Sequence, residues 1–167
     1  MAFRECRNLK SFTLHEGIQK LGFFCLWGTG IADLRIPSYI GMTPGQLGIS
    51  CDPKVLRLPD GLEAVGAWWF ADSDIEKVLI PSTVREIGNR AFFHCKKLRE
   101  VVFAPDSQLE TIGNFCFYDC GPEEVVIPKS VLNIGNHAFY CCQHLRLLAF
   151  EEGSRLVNIG KSIVDGT

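Results

Sequence analysis

One apolar position recurs along this chain like the mark on a ruler. It is filled by Leu14, Ile36, Leu58, Ile80, Phe103, Ile127 and Phe150, at successive separations of 22, 22, 22, 23, 24 and 23 residues. A period of roughly 20–50 residues held this often means an array of stacked units, each burying its apolar side against its neighbours. Ahead of the ruler the apolar residues alternate, as in Leu9/Phe12/Leu14, Ile31/Leu34/Ile36, Leu98/Val101/Phe103 and Leu145/Leu148/Phe150. Alternation at period two is the mark of a strand with one buried face. Pro37, Pro59, Pro81 and Pro128 follow the ruler directly. Proline has no N–H to give a ladder, so each strand should stop there and the chain turn.

Behind the ruler the repeat has a second half. A glycine stands eight residues on at Gly22, Gly66, Gly88 and Gly135, and ten residues on at Gly113 and Gly160, where Asp106-Ser107 and Gly153-Ser154 mark insertions. Such a glycine either takes positive φ or permits close packing at a corner. An Ala-Phe pair or its equivalent then plugs the core: Ala91-Phe92, Cys116-Phe117 and Ala138-Phe139, with Ala2-Phe3 opening the chain. The second repeat departs from the pattern near 38–55, where Met42-Thr43-Pro44-Gly45-Gln46 reads as an irregular loop. The predicted architecture is one domain over 1–167, mainly β with short helical turns. It is a solenoid of about seven repeats of 22–25 residues, with one short parallel strand per repeat.

Ile80-Pro81, Val84, Ile87-Gly88, Ala91-Phe92, Cys95, Leu98 and Val101 together resemble the BspA-like, or Treponema pallidum type, leucine-rich repeat. The resemblance covers almost the whole chain and loosens between residues 38 and 55. The more widespread leucine-rich repeat carries an asparagine three residues after its last strand leucine. Gly17, Tyr39, Gly61, Thr83, Asp106, Ser130 and Gly153 stand there in this chain, so that asparagine ladder is missing. The resemblance implies a leucine-rich-repeat scaffold without enzymatic activity. It also implies a surface or secreted setting, with adhesion or binding of host or matrix proteins.

Composition narrows the classes further. A hydrophobic fraction of 47% with 22% charged residues is globular, and a net charge of −2 gives no broad basic surface for nucleic acid or anionic lipid. No apolar stretch approaches the ~20 residues of a membrane span. Met1-Ala2-Phe3-Arg4-Glu5-Cys6 lacks the build of a signal peptide, and no Asn-x-Ser/Thr sequon occurs, so the sequence assigns no compartment.

Cys6, Cys51, Cys95, Cys120 and Cys142 fall seven or eight residues before the next ruler residue and so share one column. Cys25 and Cys116 take the alanine column. Their spacings therefore follow from repeat phase, and buried structural thiols are the expectation. Finger-like Cys/His pairing is absent, so no metal is expected. His15, His94, His137 and His144 form no HExxH, and the sixteen glycines are scattered at repeat corners and not gathered into a phosphate-binding loop. No cofactor and no catalytic group are predicted.

The strand residue before each ruler points away from the core. This column reads Thr13, Arg35, Arg57, Leu79, Val102, Val126 and Ala149. Beside it, two residues back, run Ser11, Asp33, Val55, Lys77, Glu100, Glu124 and Leu147. The two columns form an exposed sheet face, the usual binding surface of a curved solenoid. Arg35, Arg57, Leu79, Val102 and Val126 are its candidate contacts. Trp69 stands in the alanine column and is read as core, whereas Trp68 sits at the variable position shared with Arg90 and His137 and is a candidate hot spot. Trp27 takes no assigned column. Neither end looks like a polar cap, which leaves two explanations open: a piece of a longer array, or ends that stack on partners. The function expected is protein binding through the sheet face. The alternative is a structural spacer or assembly element that associates through its ends.

Overall fold

The computed structural model describes Ser11–Thr13 and Asp33–Arg35 as backbone, and residues 54–58 and 60–166 in full. The described strands are β1 (Ser11–Thr13), β2 (Asp33–Arg35), β3 (Val55–Arg57), β4 (Ala64–Val65), β5 (Lys77–Ile80) and β6 (Glu86–Ile87). They continue with β7 (Glu100–Phe103), β8 (Thr111–Ile112), β9 (Glu124–Ile127), β10 (Asn133–Ile134), β11 (Leu147–Phe150) and β12 (Asn158–Ile159). β1, β2, β3, β5, β7, β9 and β11 each end on the ruler residue or one short of it. All their pairings are parallel and in phase with the repeat, as in Val78↔Val101 and Leu79↔Val102. The chain is thus the parallel β-solenoid that the ruler predicts.

The second half of each repeat is more ordered than expected. β4, β6, β8, β10 and β12 form a five-stranded parallel ladder of their own, so a described repeat has two strands and not one. After it, no helix occurs among the described residues. The chain instead steps through tight turns, such as Ala91 N–H to Gly88 O (3.2 Å) and Phe93 N–H to Arg90 O (3.2 Å). A solenoid wall without strands must still satisfy its backbone polar groups. It does so along the axis: the N–H groups of Arg90, Phe92 and His94 donate to the carbonyls of Asn114, Cys116 and Tyr118 in the next repeat. Positive φ accompanies this pattern at two columns, Trp68, Arg90, Phe115 and His137, then Asp72, His94, Asp119 and Cys141.

The glycine column is a matter of space. Its φ values are not positive. A Cβ on Gly88, Gly113 or Gly135 would come within 2.8, 2.6 or 2.5 Å of the backbone nitrogen of Ala67, Asn89 or Asn114 in the preceding repeat. Of the two expected roles for this glycine, close packing is the one it fills. Next to it an asparagine ladder does exist, in a different column from the missing one. Asn89 Oδ1 accepts from Asn114 N–H and Asn114 Oδ1 from Asn136 N–H, both at 2.7 Å, and Asn136 Oδ1 accepts from Lys161 N–H at 2.8 Å.

Inside, like packs on like. Ile87, Ile112 and Ile134 form one buried column, and Phe70, Phe92, Phe117 and Phe139 another. The phenylalanine rings lie 5.1, 5.2 and 5.2 Å apart at interplanar angles of 12, 2 and 9°. This spacing is close to the ~4.8 Å between strands, so one repeat's advance along the axis sets the stacking distance. Trp69 is half-buried and packs against this core. Trp27 and the irregular loop at 38–53 lie outside the described residues.

Candidate functional site

The strand face is built by β3, β5, β7, β9 and β11. In β5 and β9 the alternation is clean: Val78 and Ile80, Val125 and Ile127 are buried, while Leu79 and Val126 point outward. Register then carries Arg57 beside Leu79 and Leu79 beside Val102. Val102 and Val126, on the edge strands β7 and β9, are 38% and 47% exposed. Arg35 lies in β2, but its side chain is outside the described residues.

Two depressions open on this face. A cleft of about 330 Å³ gathers Arg57, Leu79 and Val102 with Asp60, Pro81 and Pro105. A larger one, about 610 Å³, has Val102, Val126 and Phe103 as its apolar lining, with Arg99, Glu100, Glu123, Glu124 and Glu151 around them. Val102 belongs to both. The larger cleft coincides with a break in the sheet, because β7 and β9 share no ladder. The chain approaches β9 through Gly121-Pro122, and proline has no N–H to give a ladder. Arg99 Nη1 instead donates to Gly121 O at 2.9 Å. Elsewhere the face carries paired charges, Lys77 with Glu100 and Lys54 with Glu76 at 3.2 Å.

Trp68 is not brought to this face. It follows β4 in the left-handed turn (φ 64°), is 53% exposed, and contacts Phe93 and Arg90. The strand face and Trp68 are therefore separate surfaces. Reading the sequence missed the company Trp68 keeps. Phe93, Tyr118 and Tyr140 recur directly after the core phenylalanine, and that recurrence was the available signal.

The thiol column is interior. Cys95, Cys120 and Cys142 are buried, and their Sγ atoms donate to the carbonyls of Phe70, Phe92 and Phe117 at 3.0, 3.0 and 3.1 Å. Burial pushes the thiols of Cys116 and Cys120 well above their ordinary value, and that of Cys142 up to about 12. A thiolate is the nucleophilic form of cysteine, so this column is chemically quiet. Cys6, Cys25 and Cys51 lie outside the described residues. His94 stands between Asp72 (3.4 Å) and Asp119 (3.7 Å) on the turn flank, away from these sulfurs.

Comparison with known proteins agrees with this architecture. A family model described as the BspA type leucine rich repeat region matches residues 1–46 and 50–167 in six copies. No curated protein sequence matches the chain. Among solved structures it is similar to the pneumococcal vaccine antigen PcpA, at 25% identity and a TM-score of 0.60 over 74% of this chain and 31% of that one. It is similar in fold to a leucine-rich repeat protein of Bacteroides ovatus, at 20% identity and a TM-score of 0.59 over 97% of this chain and 42% of that one. The chain thus spans about a third to two fifths of the length of these two proteins.

Proposed function

Because this chain belongs to the BspA-type leucine-rich-repeat family, we propose that it is a protein-binding scaffold with no catalytic role, and that its contact surface is the strand face. The observation that carries this reading is the apolar strip Leu79, Val102 and Val126, lying across two clefts. Outward-facing apolar side chains along one face, rimmed by charge, are what a protein interface needs. Host or matrix proteins are the partner class that the family resemblance implies.

The test is surface plasmon resonance against purified matrix and plasma proteins, with wild type, Val102→Asp and Val126→Asp side by side. Both valines are partly exposed, so the variants should keep the wild-type melting temperature while binding falls at least tenfold. Equal binding by all three proteins, or no binding by any, would sink the reading.

A second reading has its own observation. Val157 and Ile159 are 73% and 56% exposed in the last described turn, although Ile159 occupies the column that is buried at Ile87, Ile112 and Ile134. A partner stacked on this turn would cover both side chains, as would a further repeat of the same array. Sedimentation velocity over a concentration series, with and without reductant, separates the two: a constant monomer supports the face, and concentration-dependent growth supports the turn.

A further inference from the structure

The left-handed turns build a second ordered surface, apart from the strand face and argued independently of it. Trp68, Arg90, Phe115 and His137 occupy successive repeats at φ 64, 57, 55 and 56°. Bulky residues are uncommon in this region of backbone space, and glycine or asparagine would sit there with less strain. The backbone does not ask for these side chains, so their reason lies in what they touch. They alternate ring, cation, ring, imidazole. The Arg90 guanidinium carbon lies 5.0 Å from the centroid of Trp68 and 4.6 Å from that of Phe115, and His137 stacks on Phe115 at 4.9 Å.

Arg90 is half-buried, and no carboxylate or carbonyl among the described residues accepts from its guanidinium. Lys54, Lys77, Arg85, Lys96 and Lys97 by contrast each hold an acidic partner. Asp72 and Asp119, on the same flank, are already engaged, Asp72 by His94 and Asp119 by His94 and Lys96. Arg90 is thus a planar fork of donors held between two rings, with no carboxylate partner among the described residues. Arginine–carboxylate pairs are bidentate and directional, so a clamped fork is pre-organised for one.

The surrounding rings sharpen the choice of ligand. Phe93 stacks on Tyr118 at 4.9 Å and 16°, and Tyr118 on Tyr140 at 5.5 Å and 6°. Near-parallel stacks occupy ring faces with one another and turn edges outward. A ring edge carries the positive part of the quadrupole, so the whole strip favours oxygen anions. A sugar needs open ring faces for stacking, and Phe93 and Tyr118 each already stack on two rings. Trp, Tyr and Arg together are instead the residues that dominate binding energy between proteins.

We propose that this flank docks an extended acidic segment of a protein partner. One carboxylate takes the Arg90 fork between Trp68 and Phe115, and the adjoining chain lies along the edges of Phe93 and Tyr118.

The probe is poly-L-glutamate, titrated into the full chain at low salt and read by calorimetry and tryptophan fluorescence. Polygalacturonate of matched charge is the carbohydrate arm. Arg90→Gln should weaken poly-L-glutamate at least tenfold. Arg90→Lys, which keeps the charge and loses the fork, should fall between. Arg155→Gln, the same charge change at an exposed site elsewhere, should shift affinity by less than twofold. Melting curves confirm that each variant is folded, and Arg90→Lys carries the comparison if Arg90→Gln is not. No binding of poly-L-glutamate, equal effects at Arg90 and Arg155, or polygalacturonate binding as tightly as the polypeptide would each overturn the proposal.

Discussion

At the scale of single residues, the solenoid depends on side chains that finish what the backbone leaves undone. Asn114 is the clearest case. Its own N–H is capped by Asn89 and its Oδ1 caps the N–H of Asn136, so one side chain joins three repeats. Asn114→Ala removes the acceptor and leaves the Asn136 N–H, at an exposed corner, to water. We expect a loss of about 0.5–1.5 kcal/mol in denaturant unfolding, the ordinary net worth of such a hydrogen bond. Asn114→Asp keeps an acceptor of the same shape and should recover most of it. If alanine and aspartate cost the same, the hydrogen bond is not what the asparagine supplies. This ladder was visible in the recurring Ile-Gly-Asn of Ile87-Gly88-Asn89, Ile112-Gly113-Asn114 and Ile134-Gly135-Asn136. Looking for asparagine only where the widespread repeat carries it passed over the column that does the work. The glycine was easier to notice than to interpret, since sequence cannot tell a positive φ from a backbone approach of 2.6 Å.

At the scale of the element, legibility followed periodicity. The alternating segments before each ruler residue gave β5, β7, β9 and β11 directly, because period two, closed at β5 and β9 by Pro81 and Pro128, leaves few other structures. The two-residue strands β4, β6, β8, β10 and β12 are too short to show any period, and only stacking in phase makes them a ladder. Stacking likewise turns isolated cysteines into a column, and burial raises the thiols of Cys120 and Cys142 in it. That has a consequence for pH. In the unfolded chain a thiol ionises near pH ~8.5, whereas in the folded chain Cys142 holds its proton to about 12. Above pH ~8.5 the unfolded state therefore binds fewer protons than the native one, and stability falls as pH rises. Each buried thiol contributes a slope of up to about 1.4 kcal/mol per pH unit inside that window and none below it. Melting temperature should thus be flat in this respect at neutral pH and drop from pH 9 to 11. Cys142→Ala should melt lower at pH 7 through lost packing, yet fall less steeply with pH. A parallel fall in both proteins would show that the alkaline loss comes from other groups.

At the scale of the whole molecule, a solenoid has no single centre. Each repeat contacts only its neighbours, so stability is close to a sum of repeat and interface contributions. The same residue type in the same column can therefore differ greatly in worth. Ile112 and Ile159 are both the second residue of a two-residue strand, yet Ile112 is fully buried between β6 and β10, while Ile159 has β10 on one side only and is 56% exposed. Burial of apolar surface and the cavity left by truncation both scale with that difference. Ile112→Ala should cost about 2–5 kcal/mol, in the range for buried aliphatic truncations, and Ile159→Ala less than about 1 kcal/mol. Hydrogen exchange supplies an independent check. The amides of Gly113, Gly135 and Gly160 make equivalent bonds to Ile87, Ile112 and Ile134 carbonyls, each 2.8 Å. Identical geometry would give identical protection if each hydrogen bond stood alone. Opening in a linear array begins where neighbours are fewest, so Gly160 should exchange faster than the other two, and Ile112→Ala should speed Gly113 and Gly135 together. Equal protection at all three glycines would mean that the array opens as one cooperative unit, and the nearest-neighbour account would then fail for this chain.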